Sequence, residues 1–104
     1  MKPNKLKVFN KYVNEILKPI YPMVSKFDLK YYEEHNKYLL DIYLNDETIR
    51  KKNMYEKGMD PHYVLVHLKS FLDYFSPQDR IFVGLRVYSP KGIEVYSNGF
   101  FEKI

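Results

Sequence analysis

Few residues in this chain have the types and spacing that chemistry needs. The histidines are His35, His62 and His67. His62 and His67 sit five apart in a stretch with helical periodicity, about 140° around the axis, so they cannot grip one metal ion from a common face. His35 lies beside Glu33 and Glu34 in a polar turn, the setting of a solvated imidazole. His67 and Ser70 are three apart and can touch, but no third residue orients the pair and no oxyanion device accompanies it. The four glycines stand alone at 58, 84, 92 and 99, so there is no glycine-rich phosphate loop. Carboxylates are scattered, without an acid–base pair. With no cysteine, thiol nucleophiles, cysteine zinc sites and disulfides are excluded. These residues point away from an enzyme and imply neither cofactor nor metal.

What stands out instead is a set of rings and cations at strand period. In RIFVGLRVY, Ile81, Val83, Leu85 and Val87 alternate with Phe82, Gly84, Arg86 and Tyr88. If helices cover the first set, the opposite sheet face carries Lys26, Lys30, Tyr32, Leu39, Tyr43, Phe82, Arg86, Tyr88, Glu94 and Tyr96. Wet sheet faces are ordinarily built from Thr, Lys, Glu and Ser, so this one requires an explanation. The leading expectation is protein–protein association, as a homodimer or as an inhibitor or adaptor of another protein. Tyrosine and arginine are favoured in such interfaces and lysine is depleted, so Tyr43, Tyr88, Tyr96 and Arg86 fit better than Lys26 and Lys30. The alternative is binding of single-stranded nucleic acid or a nucleotide-like anion, with tyrosines stacking on bases and lysines meeting phosphates. A third explanation is structural: segment 46–57 or a C-terminal strand folds over part of the face.

The net charge of +4 is uneven. Residues 1–32 hold seven lysines against Glu15 and Asp28, and the remainder is close to balanced. Lys7, Lys11 and Lys18 form a basic face on the first helix, read either as a phosphate-contacting stripe or as a solvated surface. Arginine occurs only at 50, 80 and 86. Base and phosphate recognition leans on its planar fork, so sequence-specific DNA reading is disfavoured.

The elements that must position these residues follow from periodicity and punctuation. Leu6, Phe9, Val13, Ile16 and Leu17 make a helix of about Asn4 to Lys18, ended by Pro19 and Pro22. Phe27, Leu29 and Tyr31, then Leu40, Ile42 and Leu44, make a hairpin turned through residues 33–37. Segment 46–57 is polar, a short helix or an ordered loop. Asp60-Pro61 starts a second helix with Val64, Leu68, Phe71 and Phe75 inward and Leu65 and Leu72 widening the stripe. A second hairpin turns at Ser89-Pro90-Lys91-Gly92, with Ile93 and Val95 expected inward and Glu94 and Tyr96 outward. Asn98-Gly99 can return Phe100 to Ile104 as a further strand. Gly84 marks a bulge or a ring lying on bare backbone.

The expected fold is one α+β domain over 1–104: a two-layer sandwich, with two main helices on one face of an antiparallel sheet of four or five strands. Its order is α-β-β-(α)-α-β-β-(β). Moving the last of four strands to the front gives the ferredoxin-like order, so a circular permutant of that plan is one architecture this order admits. Nothing reaches membrane-spanning length, and the composition suggests a cytoplasmic protein.

Overall fold

The end of the first helix and the start of the second fall where the local chemistry dictates. In the computed structural model, which describes residues 3–35, 37–75 and 82–97, helix α1 spans Pro3–Leu17 and helix α2 spans Pro61–Phe75. Asp60 caps α2: its Oδ1 accepts from the backbone N–H groups of His62 (3.0 Å) and Tyr63 (3.4 Å), and its carbonyl accepts from Val64 N (3.1 Å). Pro61, lacking an N–H, takes the first helical position at no cost. α1 stops two residues before Pro19 in a turn closed by Tyr21 N and Ile20 N on the Leu17 carbonyl, each at 3.0 Å.

Four strands form one sheet in the order β1-β2-β3-β4: β1 Val24–Tyr32, β2 Lys37–Leu44, β3 Phe82–Tyr88 and β4 Glu94–Ser97. β1–β2 and β3–β4 are antiparallel hairpins. The central pair β2–β3 is parallel, which corrects the expected all-antiparallel sheet. The cause is the connection: loop and α2 carry the chain back to the end where β2 began, so β3 must run alongside β2 in the same direction. The permuted ferredoxin-like plan also fails in this strand order. That plan splits its β-α-β units with an intervening strand, whereas β2 and β3 are hydrogen-bonded neighbours.

One sheet face and both helices enclose the core. Phe9, Val13 and Leu17 of α1 and Val64 and Leu68 of α2 pack with Phe27, Leu29, Leu40, Ile42, Leu85 and Val87. The alternation read from the sequence therefore holds at Leu85 and Val87. The expectations for the side chains of Ile81, Val83, Leu72 and Phe75, and for a strand over 100–104, fall outside the described residues. Two expectations are corrected. Gly84 makes no bulge: it pairs with Leu39 in an uninterrupted β2–β3 register. The bulge lies in the last hairpin, where Tyr88 pairs with Glu94 but Val87 pairs with Tyr96. The extra residue, Val95, turns Tyr96 to the core side, where it packs on the core.

Segment 45–60 forms hydrogen-bonded turns rather than a helix. Ile49, Met54 and Met59 anchor it in the helix-side core, so it does not cover the opposite face. Asp46 Oδ1 accepts from Thr48 N (2.8 Å), Asn53 Oδ1 accepts from Arg50 N (2.6 Å), and Asn53 Nδ2 donates to the Thr48 carbonyl (2.8 Å). Gly58 closes the segment at φ 82°, a left-handed conformation a side chain would strain.

The outer edge of β1 is closed by side chains. Asn10 Nδ2 donates to the Leu29 carbonyl (2.8 Å) while its Oδ1 accepts from Leu29 N (2.6 Å). Asn14 repeats this on Phe27, donating at 2.7 Å and accepting at 2.9 Å. Four residues of helix advance about 6 Å and two residues of strand about 6.7 Å, so two amides one helical turn apart match two alternate peptide groups. Asn10→Ala or Asn14→Ala leaves a partly buried N–H and C=O without partners. Each variant should lose about 1–3 kcal/mol of unfolding free energy in urea titrations, whereas exposed Lys11→Ala should change it by less than about 0.5 kcal/mol.

Candidate functional site

The sheet face opposite the helices is organised by register. From β1 to β2 the outward pairs are Lys26 with Tyr43, Asp28 with Asp41, Lys30 with Leu39 and Tyr32 with Lys37. From β2 to β3 they are Leu39 with Gly84, Asp41 with Arg86 and Tyr43 with Tyr88. Two aspartates thus face each other across the hairpin, a repulsive arrangement unless cations intervene. They do. Lys30 Nζ donates to Asp41 Oδ2 at 2.6 Å and lies 4.0 Å from Asp28. Arg86 approaches from the other side, Nε to Oδ1 at 3.1 Å and Nη2 to Oδ2 at 3.5 Å. Asp41 is only 1% exposed while the Lys30 side chain is 41% exposed, so the hub is dry and one spoke is wet.

Beside this cluster the rings of Tyr43 and Tyr88 stack, centroids 5.3 Å apart and planes 18° apart. The Arg86 guanidinium lies 5.8 Å from the Tyr88 ring centroid. Lys30, Tyr43, Arg86 and Tyr88 are therefore brought together, with Lys26 next to Tyr43 and Tyr32 at the far end of the face. Phe82 is opposite Lys37 in register, its side chain outside the described residues. Tyr96 leaves the set for the reason given above. Of the basic helix residues, Lys7 reaches this neighbourhood, lining a shallow groove with Asp28 and Lys30 at the β1 edge. Lys11 is exposed on α1 and Lys18 in the turn that follows it.

The residue that sequence reasoning passed over is Asp41, the centre of the cluster. Its period-two position between Leu39 and Tyr43 places it on this face; its pairing with Lys30 and Arg86 depends on register. His67 and Ser70 do not form a pair. Ser70 Oγ donates to the Val66 carbonyl (3.1 Å), and His67 Nδ1 lies 3.3 Å from the Tyr21 hydroxyl. Among the described residues no group of three or more His, Asp or Glu side chains is arranged to hold a metal ion, and no helix is long and apolar enough to cross a membrane. No protein-family model, no curated protein and no solved structure matches the chain.

The electrostatics make the face sensitive to alkali. The hydrogen bond to Asp41 raises the Lys30 pKa above the ordinary lysine value, against an opposing effect of burial. Burial raises the Tyr88 phenol, with the Asp41 charge adding to it, and burial likewise raises Tyr21. In each case the folded state holds its proton more tightly than the unfolded chain. The stabilisation is complete below the unfolded values, about 10 for tyrosine and 10.4 for lysine, and is lost as pH rises through the raised folded values. Unfolding free energy should be flat from pH 8 to 9.5 and fall beyond about 10, with a shallower fall in Tyr88→Phe; identical slopes would remove Tyr88 from this account.

Removing the hub and removing a spoke should differ. Asp41→Ala leaves two cations facing each other without their carboxylate and should cost about 2–4 kcal/mol of unfolding free energy. Lys30→Met should cost less than about 1 kcal/mol, because solvent already screens that half-exposed ammonium. Both are read by urea denaturation at neutral pH.

Proposed function

We propose that the protein is a non-catalytic binding protein that associates with another protein chain, a second copy or a different partner, through the outer face of its sheet. The observation that carries this reading is the composition of the face: an almost fully buried Asp41 fixing Lys30 and Arg86, beside the half-buried, mutually stacked Tyr43 and Tyr88. Such a patch offers a rigid aromatic and arginine surface whose charges are internally balanced, as Asp28 and Asp41 offset Lys30 and Arg86. Rigid Tyr and Arg side chains surrounded by satisfied polar groups are the usual anchors of protein interfaces, because little side-chain entropy remains to be lost on docking.

The same balance speaks against stacking on single-stranded nucleic acid. Lys30 and Arg86 are committed to Asp41 rather than free for phosphates, and Tyr43 and Tyr88 each already stack one ring face on the other. Tyr43→Lys and Tyr88→Lys each forfeit a ring stack of about 0.5–1.5 kcal/mol, a loss a folded domain tolerates. In native mass spectrometry at low salt the unmodified protein should appear as an even-numbered assembly, or as a complex once the partner is supplied. Either variant should appear as a folded monomer. Unchanged masses for both variants would exclude the face as the interface. Salt-sensitive binding of single-stranded DNA that disappears in Tyr43→Ala would instead transfer the face to nucleic acid.

A further inference from the structure

The β3–β4 turn borders both a shallow groove beside Tyr43 and a cleft of about 630 Å³. Its cations come from two separate segments: Arg50, Lys51 and Lys52 from the loop between β2 and α2, and Lys91 from the turn. Glu47 and Glu94 also line it, so among the described residues four cations face two carboxylates, a formal surplus of 4 − 2 = +2. Ile93, 64% exposed, and Val95 supply an apolar wall.

Unlike Lys30 and Arg86, these have no carboxylate partner among the described residues. Lys51, Lys52 and Lys91 make no ion pair or hydrogen bond among the described residues. Arg50 is preset. Its Nη1 donates to the carbonyls of Glu47 (2.6 Å) and Ile49 (2.8 Å), which fixes the guanidinium while leaving the Nε and Nη2 donors of its fork. The loop that carries it is pinned by the buried side chains of Ile49 and Met54 and by the Asn53 hydrogen bonds. The turn that carries Lys91 is pinned by Gly92 N on the Ser89 carbonyl (2.9 Å) and by Ile93 N on Ser89 Oγ (3.2 Å). Preset donors bind anions with little ordering cost.

We infer that this cleft, independently of the sheet face, binds a compact phosphate anion: a phosphate monoester or a diphosphate group, with an organic portion against Ile93 and Val95. A guanidinium fork meets phosphate oxygens in paired hydrogen bonds while lysines act as point charges beside it. The two glutamates offset part of the surplus, and no aromatic ring lines the cleft among the described residues. Both features disfavour a nucleic-acid strand, which needs an extended cationic track and stacking platforms.

The test titrates the full chain with inorganic pyrophosphate at low ionic strength, followed by amide chemical shifts. Saturable binding centred on residues 47–52 and 89–95 is expected. The double variant Lys52→Glu/Lys91→Glu should weaken it by about tenfold or more. The control Lys11→Glu/Lys18→Glu, with the same change in net charge, should bind within about twofold of the unmodified protein, as should Tyr88→Lys, which tests the sheet face separately. Vesicles of phosphatidylcholine with and without phosphatidic acid distinguish a lipid headgroup from a soluble phosphate ester as the source of the group. Equal losses in the charge-matched control, absence of saturation, or tighter binding of a hexaglutamate peptide than of pyrophosphate would each overturn the inference.

Discussion

A four-stranded sheet has two edges, and the peptide groups along them must find partners or remain in water. At β1 the partners are the Asn10 and Asn14 amides, each making two hydrogen bonds to one strand residue. This pairing fixes α1 in translation and in rotation. With the asparagines turned to the strand edge, Phe9, Val13 and Leu17 fall on the core and Lys11 and Lys18 on the solvent side. The basic helix is thereby held on the helix layer, and only Lys7 approaches the outer sheet face. The phasing that closes the edge also leaves Lys7, Lys11 and Lys18 in solvent.

The two sides of the sheet solve different problems. On the helix side, apolar groups from α1, α2 and the 45–60 loop remove each other from water, and the loop's Ile49, Met54 and Met59 take part as fully as the strands do. On the other side Leu39 is fully buried beside Asp41, and at Asp41 burial is achieved with charge. Asp41 is as inaccessible as a core leucine, which is tolerable because Lys30 and Arg86 supply hydrogen bonds while keeping part of their own length in solvent. A buried carboxylate held this way specifies register: a slip of β3 against β2 by one residue would turn Arg86 to the core side. The register of this aromatic face is therefore tightly specified.

Three groups among the described cations have different surroundings. Lys30 and Arg86 are neutralised in place, Lys11 and Lys18 are exposed on α1 and the turn that follows it, and Arg50, Lys51, Lys52 and Lys91 converge on one cleft from two pinned turns. Composition reports only their sum, +4. Mean charge is a poor guide to where an anion binds, since the field at a site depends on which carboxylates stand within a few ångströms.

Local signals in the sequence determined both helices, both hairpins and the main core. Asp60-Pro61, the proline stops, the alternation of Phe27, Leu29, Leu40 and Ile42, and the Ser89–Gly92 turn each act over a few residues, and the structure follows them. Only the tertiary structure decided the rest. Whether β3 runs with or against β2 depends on the path of a whole helix, not on strand residues. The side taken by Tyr96 depends on one bulge that no residue type announces. The strand and cation partners of Asn10, Asn14 and Asp41 lie 11 to 45 residues away in sequence, and a polar side chain carries no mark of which distant group it will meet. Periodicity encodes faces because they repeat along the chain; contacts between faces, the basic cleft among them, exist only once the layers are docked.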